Sequence, residues 1–121
     1  MMINIIMVGI GGAIGAILRY LLSLLPFEAA FPFATFITNI LGAFFIGIVT
    51  GMSDKGGVSP KTVLLLKTGV CGGFTTFSTF SLESWNLLSG GKLFTGSVYM
   101  VLSLCCCIVG VAIGRLLTRA V

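Results

Sequence analysis

Histidine is absent from the 121 residues, and charge is scarce: seven Lys or Arg side chains stand against three Asp or Glu. The missing histidine removes the usual general base and the commonest metal ligand. Charged residues make up 8% of the chain, against about 25% in average soluble domains. So few charges cannot cover a globular surface of this size. No nucleophile–base pair and no phosphate-binding loop occurs, so the sequence points away from an enzyme. The net charge of +4 is spread too thinly for a nucleic-acid interface. No stretch has the alternating pattern of a membrane β-barrel.

What the chain has in abundance is apolar sequence, 57% of its residues. Residues 1–18, 29–53, 68–82 and 93–114 carry no charged side chain. A transmembrane helix needs about 20 mostly apolar residues, which predicts spans near 2–25, 32–52, 62–89 and 93–117 in one domain over 1–121. The first span lacks a basic n-region and an obvious cleavage site, so it reads as retained rather than as a signal peptide. The connections are short. Ser59 before Pro60 has the character of an N-cap and first helical position, and Ser89-Gly90-Gly91-Lys92 reads as a tight turn. Four spans put both termini on one side. That side holds Lys55, Lys61, Lys67, Arg115 and Arg119, and the other holds Arg19 and Lys92. The bias favours a cytoplasmic N-terminus.

Glycine is patterned. Each span has one GxxxG pair: Gly11/Gly15, Gly47/Gly51, Gly69/Gly73 and Gly110/Gly114. Such pairs let helix backbones approach closely in lipid, either within one bundle or between subunits. Four spans enclose little space, so a transport pathway calls for an oligomer.

The third span reads GVCGGFTTFSTFSLE over residues 69–83. Glycine and threonine are both unfavourable in a plain helix. As a straight helix, Thr62 to Ser89 would extend about 42 Å at 1.5 Å per residue, against a hydrocarbon core of about 30 Å. A break near Gly72-Gly73 would absorb the excess, with Gly72 in a backbone shape open mainly to glycine. Carbonyls freed by a break suit a cation, and half-helix N-termini suit an anion. Phe77 and Phe80 share a face with Ser81 and Ser84, and their positive ring edges could face a small anion without trapping it. Packing or lipid contact is the plainer role for such rings. Asn39 sits mid-span between Thr35 and Gly42, where helix–helix bonding and pore lining are equally open. Tyr99, Ser103 and Cys107 share a face of the fourth span. Arg19 and Glu83 are intramembrane charges and functional candidates by default, although Arg19 could snorkel to water. Cys105, Cys106 and Cys107 point in three directions and Cys71 stands apart; with no metal-site spacing, all four read as small packing residues.

The third-span string resembles the signature of the Fluc/CrcB family of fluoride channels. Gly11-Gly12, Gly15-Ala16 and Arg19-Tyr20 resemble its first-span motif, and Thr35, Asn39, Gly42 and Gly47 its second. The resemblance covers the full chain. It implies an all-α membrane protein of four transmembrane helices with the third broken, assembled as an antiparallel dual-topology homodimer in lipid. It implies passive export of fluoride across the bacterial inner (plasma) membrane. Phe77 and Phe80 would be the pore phenylalanines, Asn39 the pore amide, and Tyr99 and Ser103 the fourth-span lining. Thr35, Thr79 and Ser81 would add hydroxyl donors along the pathway. The backbone carbonyls of Gly72 and Thr75 would hold a structural Na⁺ at the dimer axis. Dual topology sits uneasily with the bias in Lys and Arg placement. The competing function is a small multidrug or cation antiporter, which needs a membrane carboxylate; Glu83 is the sole candidate. A non-transporting membrane assembly protein would not need the Gly-rich break with its Ser/Thr/Phe run.

Overall fold

The computed structural model describes residues Met1–Val121, and every regular element in it is helical. Helix α1 runs Met2–Ser23 and α2 runs Phe33–Asp54. The third segment is composite: α3 (Pro60–Val63), a π-helical stretch (Leu64–Cys71), α4 (Gly72–Phe74) and α5 (Phe77–Ser89). Helix α6 closes the chain over Leu93–Ala120. Four of these units, with Pro60–Ser89 counted as one, are long and apolar enough to cross a membrane.

Local chemistry sets the helix ends. The Ser59 hydroxyl accepts the Thr62 N–H at 3.2 Å, with Pro60 in the first turn, where its missing N–H costs nothing. Gly56 and Gly91 are the two residues with positive φ, at 72° and 82°. Each follows a helix C-cap and closes it with paired backbone bonds. Gly56 N–H reaches Ser53 O and Gly57 N–H reaches Met52 O; Gly91 N–H reaches Leu88 O and Lys92 N–H reaches Leu87 O. Both are Schellman closures, where glycine avoids the penalty a Cβ would incur.

The four GxxxG pairs are all used inside the chain. Helix α1 packs on the π-helical stretch and α4, while α2 packs along α6. A Cβ on Gly69 would lie 2.8 Å from Gly11 Cα, and one on Gly73 would overlap the Gly12 carbonyl. On the other pair of helices, a Cβ on Gly47 would overlap Val111 O and one on Gly114 would overlap Phe44 O. At the ends of α2 and α6, Arg115 pairs with Asp54. The buried apolar core is small: Phe80, Leu87 and Tyr99, with Phe31, Phe36 and Met100 at its edge. Large apolar side chains such as Ile5, Leu21 and Ile108 face outward, as a lipid solvent requires.

The third segment breaks, but one turn later than Gly72-Gly73. Gly72 is ordinary right-handed helix (φ −62°, ψ −37°), and the chain turns extended at Thr75 (ψ 157°) and Thr76 (φ −150°, ψ 119°). Gly72 therefore does not hold a glycine-only conformation. The glycines continue the helix, and Gly69 and Gly73 serve the close approach to α1. The break sits at the two threonines because Thr76 is the N-cap of α5: its Oγ1 accepts the Thr79 N–H at 3.2 Å.

Candidate functional site: two chambers meeting at a broken helix

The break is held open by side chains from three directions. The Asn39 amide clamps the Thr76 backbone, with Nδ2 donating to its carbonyl at 3.1 Å and Oδ1 accepting its N–H at 2.8 Å. Arg19 Nε donates to Gly73 O at 3.2 Å. The Thr75 hydroxyl donates to Cys71 O at 2.8 Å. Backbone groups freed inside a membrane need such partners, since no water replaces them.

A cavity lies on each side of the break, and Thr76 lines both. The first has a volume of about 500 Å³ and collects Arg19, Thr35, Thr38, Thr76, Thr79 and Glu83 among its walls. The second, about 400 Å³, collects Asn39, Gly72, Thr75, Phe77, Phe80, Ser103 and Cys107, with Lys67 as its one charged residue.

In the first chamber Glu83 is a bridge. Its Oε1 accepts from Thr35 Oγ1 at 2.8 Å and its Oε2 accepts from the Tyr99 hydroxyl at 2.7 Å. The carboxylate thus ties α5 to α2 and α6. Thr38, 2% exposed, lines the same chamber one turn from Thr35.

In the second chamber the two rings differ. Phe77 is 75% exposed, whereas Phe80 is 8% exposed and packs on Tyr99 with centroids 5.2 Å apart. The rings lie 5.7 Å from each other. Ser103 Oγ is buried without any hydrogen-bond partner. An unpaired buried hydroxyl is costly, and this one borders an open chamber. Asn39 keeps one amide N–H outside its clamp. The carbonyls of Gly72 and Thr75 receive no side-chain or turn hydrogen bond.

A family model for the CrcB-like protein, Camphor Resistance (CrcB), matches residues 6–115. The chain belongs to the CrcB family. A protein of Ruminiclostridium cellulolyticum named fluoride-specific ion channel FluC is 47% identical over 99% of this chain and 95% of its own length. A FluC of the same name from Azobacteroides pseudotrichonymphae is 42% identical over 98% of each chain. One from Clostridium perfringens is 43% identical over 94% of this chain and 92% of its own.

Against this CrcB background, the candidate residues divide by place. Arg19, Thr35, Thr79 and Glu83 meet around the first chamber, and Asn39, Phe77, Phe80, Ser103, Gly72 and Thr75 around the second. Two candidates line neither. Tyr99 is fully buried behind Phe80 with its hydroxyl on Glu83, and Ser81 donates to Phe77 O at 2.9 Å within its own helix. Sequence reading assigned no pathway role to Thr38 or to Lys67, which counted only in the charge bias, and Cys107, although on the face of Tyr99 and Ser103, read as packing. A signal existed for two of them. Thr38 is three residues from Thr35 and Cys107 four from Ser103, so each continues a polar helix face. No helical periodicity marked Lys67.

Proposed function

We propose that this chain is a fluoride channel of the bacterial plasma membrane. Its CrcB relatives carry that activity in their names over nearly the whole shared length, and the chain is no enzyme. The observation that carries the reading is the second chamber, where neutral donors converge without partners. Ser103 offers a free hydroxyl, Asn39 an uncommitted N–H, and Phe77 and Phe80 their ring edges. Fluoride is small and strongly hydrated, so a route must replace its water with donors. Neutral donors do this without holding the ion too tightly to leave. Thr76 lines both chambers, and the proposed route runs from one to the other past the break at that residue. Flow is passive and outward, down the gradient that a cell accumulating fluoride would create.

The working unit is an antiparallel, dual-topology homodimer in lipid. Support comes from what the single chain leaves uncovered. Its GxxxG pairs are consumed internally, while Phe77, Gly72 and Ser78 remain exposed along the broken segment. A two-fold axis in the membrane plane would bring two copies of that segment together. The residues there fit a structural Na⁺: the Gly72 and Thr75 carbonyls carry free lone pairs, and glycine presents no side chain in front of them. Such an ion, when bound, supplies positive charge to the carbonyl ends of two broken helices. Glu83 would be the residue of a proton-coupled antiporter, but both its oxygens already accept hydroxyl bonds, so that alternative gains nothing from the geometry.

The test is anion efflux from liposomes containing purified protein. Rapid fluoride efflux with chloride retained is expected. Equal passage of both ions, or of neither, would remove the proposal.

A further inference from the structure

We infer that Cys107 is a covalent modification site: a thiol in the second chamber that takes a small, water-soluble sulfur electrophile and, once capped, closes the chamber to fluoride. The effect on fluoride rests on the channel reading above. The site itself does not.

All four cysteines are free thiols, but their surroundings differ. Cys105, Cys106 and Cys107 are consecutive on α6, so each is turned about 100° from the next. Cys105 is exposed on the outer surface, and neither it nor Cys106 lines a chamber. Cys107 is half-buried and lines the second chamber. Cys71 borders the same chamber from the third segment but is 2% exposed, so its sulfur is closed to a reagent. No cluster of three His, Cys, Asp or Glu residues forms a metal site. The chemistry open to Cys107 is therefore that of a single thiol.

The chamber around it is shaped for a polar guest. Ser103 lies one turn before Cys107 on the same helix face and lines the same chamber. It is 5% exposed, and its Oγ has no hydrogen-bond partner. A buried hydroxyl left unpaired is costly, and this one borders an open volume of about 400 Å³. Asn39 adds a free amide N–H from another wall. Four residues of helix rise about 6 Å, so a small molecule held at Ser103 lies beside the Cys107 sulfur. A thiol is a weaker donor than a hydroxyl. Cys107 thus adds little to the grip on an anion, and what it brings to the chamber is a nucleophile.

The reagent class is an alkyl thiosulfonate. The Cys107 thiolate attacks the sulfur that bears the alkyl group, and the proton of the thiol passes to water. The bond from that sulfur to the sulfonyl sulfur breaks, and a sulfinate leaves with the electron pair. The cysteine sulfur is oxidised to a mixed disulfide while the sulfonyl sulfur is reduced. A dithiol reductant reverses the product by exchange. With a 2-sulfonatoethyl group, the adduct plants a fixed negative charge one turn from Ser103.

The test uses 2-sulfonatoethyl methanethiosulfonate on both sides of proteoliposomes. Adducts are counted by intact mass, and fluoride efflux is compared with each protein's own untreated rate. A charged reagent does not enter hydrocarbon, so lipid-facing thiols stay unlabelled. The parent and the Cys105→Ala/Cys106→Ala double variant should each gain one adduct, and Cys107→Ser none. Efflux from the first two should fall at least about tenfold, because a fixed charge repels a like ion strongly at low dielectric. Dithiothreitol should restore it, and treated Cys107→Ser should match its untreated self. A parent without an adduct, or an adduct that persists in Cys107→Ser, would overturn the site. A parent fully labelled at Cys107 with undiminished efflux would overturn the closure. A parent that passes no fluoride before treatment removes the channel reading instead, while the adduct pattern still decides the thiol site.

Discussion

Asn39 grips Thr76 with both ends of its amide, donating to the carbonyl at 3.1 Å and accepting the N–H at 2.8 Å, across 37 residues of sequence. The bond pair holds one backbone unit at the point where the third segment is neither helix nor turn. The same asparagine lines the second chamber. One side chain therefore fixes the shape of the break and presents a donor beside it.

That double role predicts a graded response at position 39. Asn39→Ala strips partners from two backbone groups, at about 1–3 kcal/mol for each one left unsatisfied. Thermal unfolding in detergent should shift down accordingly. Asn39→Asp keeps an acceptor for the Thr76 N–H but loses the donor and adds negative charge to an anion route. Fluoride efflux should then collapse while much of the stability survives. An Asp variant that transports fully at a pH where its carboxyl is ionised would show that Asn39 is a clamp only.

Phe77 and Phe80 should separate in a way that their shared helix face hides. Phe80 is buried in a cluster with Tyr99 and Phe31, so Phe80→Ile loses aromatic packing as well as the ring edge, with destabilisation of about 0.5–1.5 kcal/mol. Phe77 is largely exposed, so Phe77→Ile should leave the single chain's stability nearly unchanged. Both should lose most fluoride efflux. Unchanged efflux in the two variants would reduce the rings to packing.

The four long charge-poor runs, the Ser59–Pro60 start and the Gly91 turn were legible because each has a local cause, in hydropathy, capping or a positive φ. The break was legible as a need, since 28 residues overshoot a bilayer, but its place was not. Glycine composition pointed to Gly72-Gly73, yet those residues stay helical. What decides the place is Thr76, capping α5 and clamped by a residue on another helix, and that contact has no local signature. The same limit applied to Tyr99. Its spacing from Ser103 put the two on a shared face, and the family resemblance implied a lining role there, whereas its hydroxyl turns to Glu83. Helical spacing tells which residues share a face; it does not tell which neighbour that face meets.

Topology offers a separate test. Three lysines added between Lys55 and Ser59 should drive every copy into one orientation. If the working unit is antiparallel, efflux should fall, and co-expression with an oppositely biased variant should restore it. Full efflux from a uniformly oriented population would eliminate the antiparallel assembly.

The glycines of the third segment allow the chain and its assembly to be probed apart. A Cβ on Gly69 would press on the Gly11 backbone, whereas one on Gly72 would find nothing of this chain nearer than Lys67 O at 4.0 Å. Gly72 is also plain helix, so alanine is permitted there and even favoured by propensity. Gly69→Val should therefore unfold the bundle, seen as loss of a monodisperse species in detergent. Gly72→Ala should keep the helices and the break. If the Gly72 carbonyl faces a partner subunit and a shared cation, the added methyl group should weaken the dimer and speed its dissociation, with the isolated chain still folded. Thr75→Ser, which retains both carbonyl and hydroxyl, should be mild by the same measure. Gly72→Ala dimers as long-lived as the parent, with no cation density between the two broken helices at high resolution, would place the interface elsewhere and remove the Na⁺ proposal.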